Sequence, residues 1–357
     1  MFSSLPGFAA THLVVQGQGK LATKQIRRED DGSLEKIDYS EGAKWWRMSP
    51  FAATDHGAMA AELKKLATMP RSLLVMGDCV PGLDLALEHR RRWAASEPLE
   101  NTLLAVPRAW LAIDADDAPV PAPLGDAERL VEGAIHVRDH QLPPEFSNAT
   151  MLVSPTSSSG LRGATLFRGR LWFLLDRLIP LADLRAWAMG VRTVGGAVDP
   201  AVMQAGQPIF TARPQFVGMD DPIPPHLLAT VVSGVRDRVD LNADRFAVKV
   251  AEIERRLQSV VACTGLDWRS FLRRTLGGEL SFHEPLKMGL GRAARSGERD
   301  EAIITFTVAL LAKRADPARR AQYNAAWIGR TLKSFRAKDG HTRSRLEAAR
   351  ASLFAEV

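Results

Sequence analysis

The chain has 357 residues, 46% hydrophobic and 25% charged, with a formal net charge of +6, which suits an ordinary soluble globular protein with room for two domains. No apolar run reaches the roughly 18–20 residues that span a bilayer, and the first residues (Met1 to Pro6) lack the basic and apolar regions of a secretory signal. Cys79 and Cys263 have neither disulfide-framework nor zinc-site spacing, so a cytoplasmic location without a membrane partner is expected.

The charge is uneven. Residues 313–350 hold eleven Lys/Arg against three Asp/Glu, while the rest is slightly acidic, 36 against 38. The basic character belongs to the C-terminal end, as either a polyanion-contacting element or a solvated helix surface.

In chain order, Leu13-Val14-Val15 and Leu21 to Ile26 read as strands joined through Gln16-Gly17-Gln18-Gly19, and Asp30-Asp31-Gly32 turns into a strand over Leu34 to Tyr39. Gly17-Gln18-Gly19-Lys20 is not a P-loop, since the other glycines and the following Ser/Thr are absent. Thr54 or Asp55 can cap a helix to about Thr68, with Met59, Leu63 and Leu66 at helical spacing. Leu73 to Met76 is a short buried strand, and another helix starts around Asp126. Ala149 to Val153 is a strand opening into Ser154 to Gly160, followed by a strand over Gly169 to Leu175. Pro180 starts a helix to about Met189. Residues 218–245 are rich in breakers and read as a connection. Asn242 or Asp244 can cap a helix through Ser259. The stretches Glu301 to Arg314 and Tyr323 to Arg336 are amphipathic, the latter with Ile328, Leu332 and Phe335 on one face and Arg330, Lys333 and Arg336 largely elsewhere.

The most informative run is Trp110-Leu111-Ala112-Ile113-Asp114-Ala115-Asp116-Asp117. Strand side chains alternate faces, so Asp114 and Asp116 point one way while Leu111, Ile113 and Ala115 pack behind them. Paired carboxylates with no adjacent base suit a hard divalent cation such as Mg²⁺ or Mn²⁺ and metal-assisted phosphoryl or nucleotidyl transfer. A solvated Asp-rich turn at a strand end is the other reading. Trp45-Trp46 offers a base-stacking pair or a half-buried pair beside a strand.

Further along stand the Ser-rich loop Ser157-Ser158-Ser159-Gly160, the strand Arg170-Leu171-Trp172-Phe173, the step Val198-Asp199, and Gln207-Pro208-Ile209-Phe210-Thr211-Ala212-Arg213-Pro214. With the Asp-x-Asp before them, their order resembles the catalytic core of the archaeo-eukaryotic primase (primase-polymerase) superfamily, nearest to primases of plasmids, phages and integrated mobile elements. Ser281 to Pro285 and Ser296 to Asp300 are similar to the helical domain that follows that core. The resemblance covers most of the chain through short motifs whose order carries the case.

The resemblance implies an α/β catalytic domain with an RRM-like core over residues 1–225, a linker over 226–245, and an all-α domain over 246–357. It implies a DNA primase that makes primers on single-stranded DNA. Asp114, Asp116 and Asp199 would be its catalytic, metal-holding carboxylates, with two Mg²⁺ or Mn²⁺ ions as cofactors and nucleoside triphosphates as substrates. Ser158, Ser159, Arg170 and Arg213 would bind nucleotide, and Arg330, Lys333 and Arg336 the DNA. By residues alone, the serines also fit a solvated loop and Asp199 a helix N-cap before Pro200.

One departure stands out. The family carries a His on the strand after the Ser-rich loop; the matching residue here is Arg170, which binds phosphate bidentately but does not titrate near neutral pH. Arg162, Arg168 and Arg213 are candidates to share that load. A catalytically degenerate DNA-binding module is therefore the alternative, and a two-metal nuclease a weaker one. No Walker motif is present, so a replicative helicase is a candidate partner.

Overall fold

Phe8–Val15 (β1) is apolar at nearly every position and buries side chains on both faces, which places it inside a sheet. In this computed structural model the described residues are 7–37, 43–93, 100–161, 163–193, 196, 198–246, 267–276 and 283–336. The chain divides into two compact units, Met1–Val250 and Ala251–Val357. The first is mixed α/β. Its further strands are β2 (Gln25–Arg28), β3 (Leu34–Ile37), β4 (Trp45–Ala53), β5 (Ser72–Val75), β6 (Asp78–Cys79), β7 (His89–Arg90), β8 (Leu103–Leu104), β9 (Arg108–Pro119), β10 (Met151–Ser154), β11 (Leu166–Ile179), β12 (Ile209–Phe210), β13 (Gln215–Val217) and β14 (Thr230–Val232).

The first sheet has the order β12-β5-β1-β4-β7 and the second β14-β10-β11-β9, both antiparallel throughout. A third, β13-β2-β3, includes a parallel pair, and β6 pairs with β8. β1 and β2 are not joined as a hairpin: β1 bonds to β4 and β5, and β2 to β3 and β13. Turn residues between two strands permit a hairpin; the buried faces decide which strands pair.

Helix α1 (His56–Ala67) is capped by Asp55, whose carboxylate accepts from the Ala58 amide at 2.8 Å, and it buries Met59, Leu63 and Leu66 at the expected spacing. The helix expected near Asp126 begins as a 3-10 turn at Ala127–Arg129 and continues as α2 (Leu130–His140). After Pro180, α3 (Leu181–Thr193) buries Leu184, Trp187, Ala188 and Val191.

The principal core lies against the second sheet. Trp172 and Phe173 alternate faces on β11, yet both are fully buried, because that sheet is covered on both sides. Trp172 stacks on Trp110 of β9 at 5.9 Å between centroids. The indole N–H of Trp172 donates to Ser154 Oγ at 2.8 Å and that of Trp110 to the Ala9 carbonyl at 2.7 Å. Buried Trp with a satisfied N–H gives large apolar burial without a stranded polar atom; truncating either costs about 3–5 kcal/mol. The β9–β11 pair that carries the charged site is therefore rigidly backed.

The segment 226–245, expected as a linker, adds β14 to the second sheet and sends Val239 and Leu241 into the core. Scattered apolar residues among prolines and charges hide this from composition. The helix expected from Asn242 or Asp244 opens as a 3-10 turn at Ala243–Phe246, and the rest of it lies outside the described residues.

In the second unit, described helices run over Trp268–Thr275, His283–Arg295, Asp300–Arg314 and Pro317–Gln322, and 325–336 is also helical. Its core joins Phe271, Leu272, Leu286, Leu290, Ile303, Ile328 and Leu332. Among the described residues no helix is long and apolar enough to cross a membrane.

Candidate functional site

β9 and β11 pair with Asp114 directly opposite Arg170 and Ala115 opposite Gly169; the register then slips, so that Asp116 and Asp117 stand against the single Arg168. This is a β-bulge, which bends one strand and re-aims its side chains. Asp117 takes the left-handed conformation (φ 55°), which short polar residues tolerate better than most. The bulge defeats strict alternation and turns Asp117 toward the guanidinium that also faces Asp116.

The result is two neighbouring clusters of bonds, each built around an arginine. Arg170, itself buried, donates from Nε and Nη2 to the two oxygens of Asp114, the latter at 2.8 Å, and from Nη1 to the Phe210 carbonyl at 2.6 Å. Arg168 grips both oxygens of Asp117, lies 3.7 Å from Asp116, and donates to Ser158 Oγ. Ser159 Oγ accepts from the Thr156 amide at 2.8 Å and donates to the Arg168 carbonyl. Arg213 donates from Nη1 to the Thr156 carbonyl at 2.6 Å and bidentately to Asp221 at 2.7 and 2.8 Å. Asp114 and Arg170 thus form one cluster, and Asp116, Ser158, Ser159 and Arg213 belong to a second one around Arg168 and Thr156; the two are linked through the charges of Asp114 and Arg170 acting on Asp116.

Its electrostatics follow from crowding. Surrounding protein and then the neighbouring Asp114 carboxylate push Asp116 above the ordinary Asp value, against the pull of Arg168 and Arg170. Arg168 is pushed upward, chiefly by its bonds to Asp117. The serines are not a solvated loop: both are buried and their hydroxyls are engaged.

Asp199 stands outside both clusters. Its Oδ1 accepts from the Ala201 amide at 3.0 Å, capping the 3-10 turn Pro200–Met203, and the Arg192 guanidinium lies 3.9 Å away. Among the described residues no group of three or more His, Cys, Asp or Glu side chains is arranged to hold a metal ion. Asp114 and Asp116 keep the hard-oxygen chemistry that Mg²⁺ or Mn²⁺ takes. Asp199 serves as the cap because Pro200 takes the first position of the turn after it.

Of the basic residues in the second unit, Arg330 and Lys333 are exposed, opposite the buried Ile328 and Leu332. Arg336 is engaged: it lies 2.8 Å from Asp300 and donates to the Glu298 carbonyl. Ser281 and Phe282 and the side chains of His283 and Glu284 lie outside the described residues, as does Arg162.

Asp117, Asp221 and Thr156 belong to the second cluster without having been singled out. A signal existed for the first: Arg168-x-Arg170 mirrors Asp114-x-Asp116, so two strands of opposite charge pattern were available to pair.

No family model matches the chain, and no curated protein matches it. Among solved structures, the chain is similar to one described as primase RepB', with 11% identity over 96% of this chain and 94% of that one and a TM-score of 0.28. So loose a superposition carries no weight for fold or function.

Proposed function

We propose that this chain is a primase-type nucleotidyltransferase that starts short strands on single-stranded DNA, with Asp114 and Asp116 as its catalytic carboxylates. The observation that carries the reading is the meeting of two carboxylates and two guanidiniums on one bulged strand pair, Asp114 and Asp116 with Arg168 and Arg170. Such a site can exchange partners at constant charge: a nucleoside triphosphate would take the guanidiniums, and Asp114 and Asp116 would then be the residues to hold divalent cations. Mg²⁺ or Mn²⁺, when bound, would neutralise charge developing on the transferring phosphate. Arg170 and Arg168 grip phosphate oxygens and orient the triphosphate, with Arg213 holding the loop behind them. Two carboxylates then do what the resemblance assigns to three, and Asp199 stays a positioning cap.

The bidentate hold of Arg170 on Asp114 favours a second reading, a DNA- and nucleotide-binding module that does not synthesise. The separating experiment is synthesis on circular single-stranded DNA with labelled nucleotides and Mn²⁺ or Mg²⁺. Short products lost in Asp114→Ala support the primase; no product from folded protein that binds DNA and nucleotide supports the module. Shortening of labelled DNA without nucleotides would mean a nuclease.

A further inference from the structure

A second charged surface lies away from the carboxylates, at the β7 edge of the first sheet. Along β4, Trp46 and Met48 are buried while Trp45, Arg47 and Ser49 alternate outward. β7 pairs Arg90 with Trp45 and His89 with Trp46. Paired residues share a face, so Arg90, Trp45 and Arg47 form one row. Behind the row, a cleft of about 340 Å³ is lined by Ala43, Lys44, Trp46 and Arg90 to Arg92, with no acidic side chain among the described residues. The Arg91 guanidinium sits over the rings of both Trp46 and Trp93, at 5.9 and 5.8 Å, which holds it in place. Arg92 pairs with Glu100. Lys44, Arg47 and Arg90 have no ion pair among the described residues. In the middle stands Trp45, 50% exposed.

We infer that this edge binds single-stranded nucleic acid, the phosphodiester backbone lying along Arg47 and Arg90 with one base stacked on Trp45. Charge complementarity selects a polyanion. The exposed indole selects a strand whose bases are free, since a duplex keeps its base faces covered and a groove edge gives Trp45 nothing to stack on. The strand tolerates sequence variation because every base offers a face to an indole. This surface does not depend on nucleotidyl transfer, and its test uses neither metal nor nucleotide.

The test is fluorescence anisotropy of a labelled oligothymidylate titrated with the full chain over a range of salt concentrations. Trp45→Ala should weaken binding about tenfold, with Trp45→Phe recovering most of it. Arg47→Ala/Arg90→Ala should lower the magnitude of the log–log salt slope by about 1.4, the value for two lost phosphate contacts on a single strand. Circular dichroism identifies any variant that does not fold, and the arginine pair provides an independent arm if Trp45→Ala is one. Unchanged affinity in folded Trp45→Ala, an unchanged slope in the arginine pair, or an equal loss on duplex DNA of the same length would overturn the inference.

Discussion

Asp114 and Arg170 face each other across the β9–β11 ladder, and one guanidinium donates to both carboxylate oxygens. Arg170 neutralises the carboxylate it faces.

That pair predicts a stability asymmetry. Removing one partner strands a charge in a largely buried place, so Arg170→Leu should cost about 3–5 kcal/mol, while Asp114→Leu/Arg170→Leu should cost much less. Urea unfolding of both single variants and the double variant gives the coupling energy. Independent, additive losses would mean that the ion pair does not hold in solution.

Activity should separate from binding. Asp114→Asn and Asp116→Asn are each expected to reduce primer synthesis by about 10²–10³-fold, the equivalent of several kcal/mol of charge stabilisation. Oligonucleotide affinity without metal should stay within about twofold of native. Synthesis at native rate by either variant would remove that carboxylate from the reaction.

His12 and His56 give the first unit a pH dependence. Burial holds both rings below the ordinary value of 6.5; at His56 the Asp237 and Asp55 carboxylates pull partly the other way. In the unfolded chain each takes a proton near pH 6.5, whereas the native state resists it. Their contribution to stability is therefore full above that value and declines as the pH falls below it. Thermal melts of native protein and His56→Gln across this window should show a shallower acid-side decline in the variant. Parallel curves would assign the decline to other groups.

The basic residues of 325–336 should divide. Arg330→Ala/Lys333→Ala removes exposed charge, and the salt slope of single-strand binding should shrink by about 1.4 if both touch phosphate. Arg336→Ala breaks the contacts to Asp300 and to the Glu298 carbonyl. Its effect should be lower stability, about 1–3 kcal/mol, with the salt slope unchanged.

Local periodicity was readable in the linear chain wherever burial is one-sided. Asp55 as a cap, the Met59-Leu63-Leu66 stripe of α1, and the Ile328-Leu332 face of 325–336 all follow from residue spacing. Asp114 and Asp116 were visible as neighbours because a strand repeats every two residues. The sequence by itself determined the helices with one buried face, the strand that carries Asp114 and Asp116, and which residues carry charge. Tertiary structure decided the partners. The bulge that brings Asp116 and Asp117 to Arg168, the locking of Asp114 by Arg170, and the entry of 230–232 into the second sheet all depend on contacts between distant segments. Spacing along a chain sets which face a side chain is on. Which charge neutralises it is settled only when a buried strand pairing, chosen by the packing of Trp110 and Trp172, brings the other strand into register.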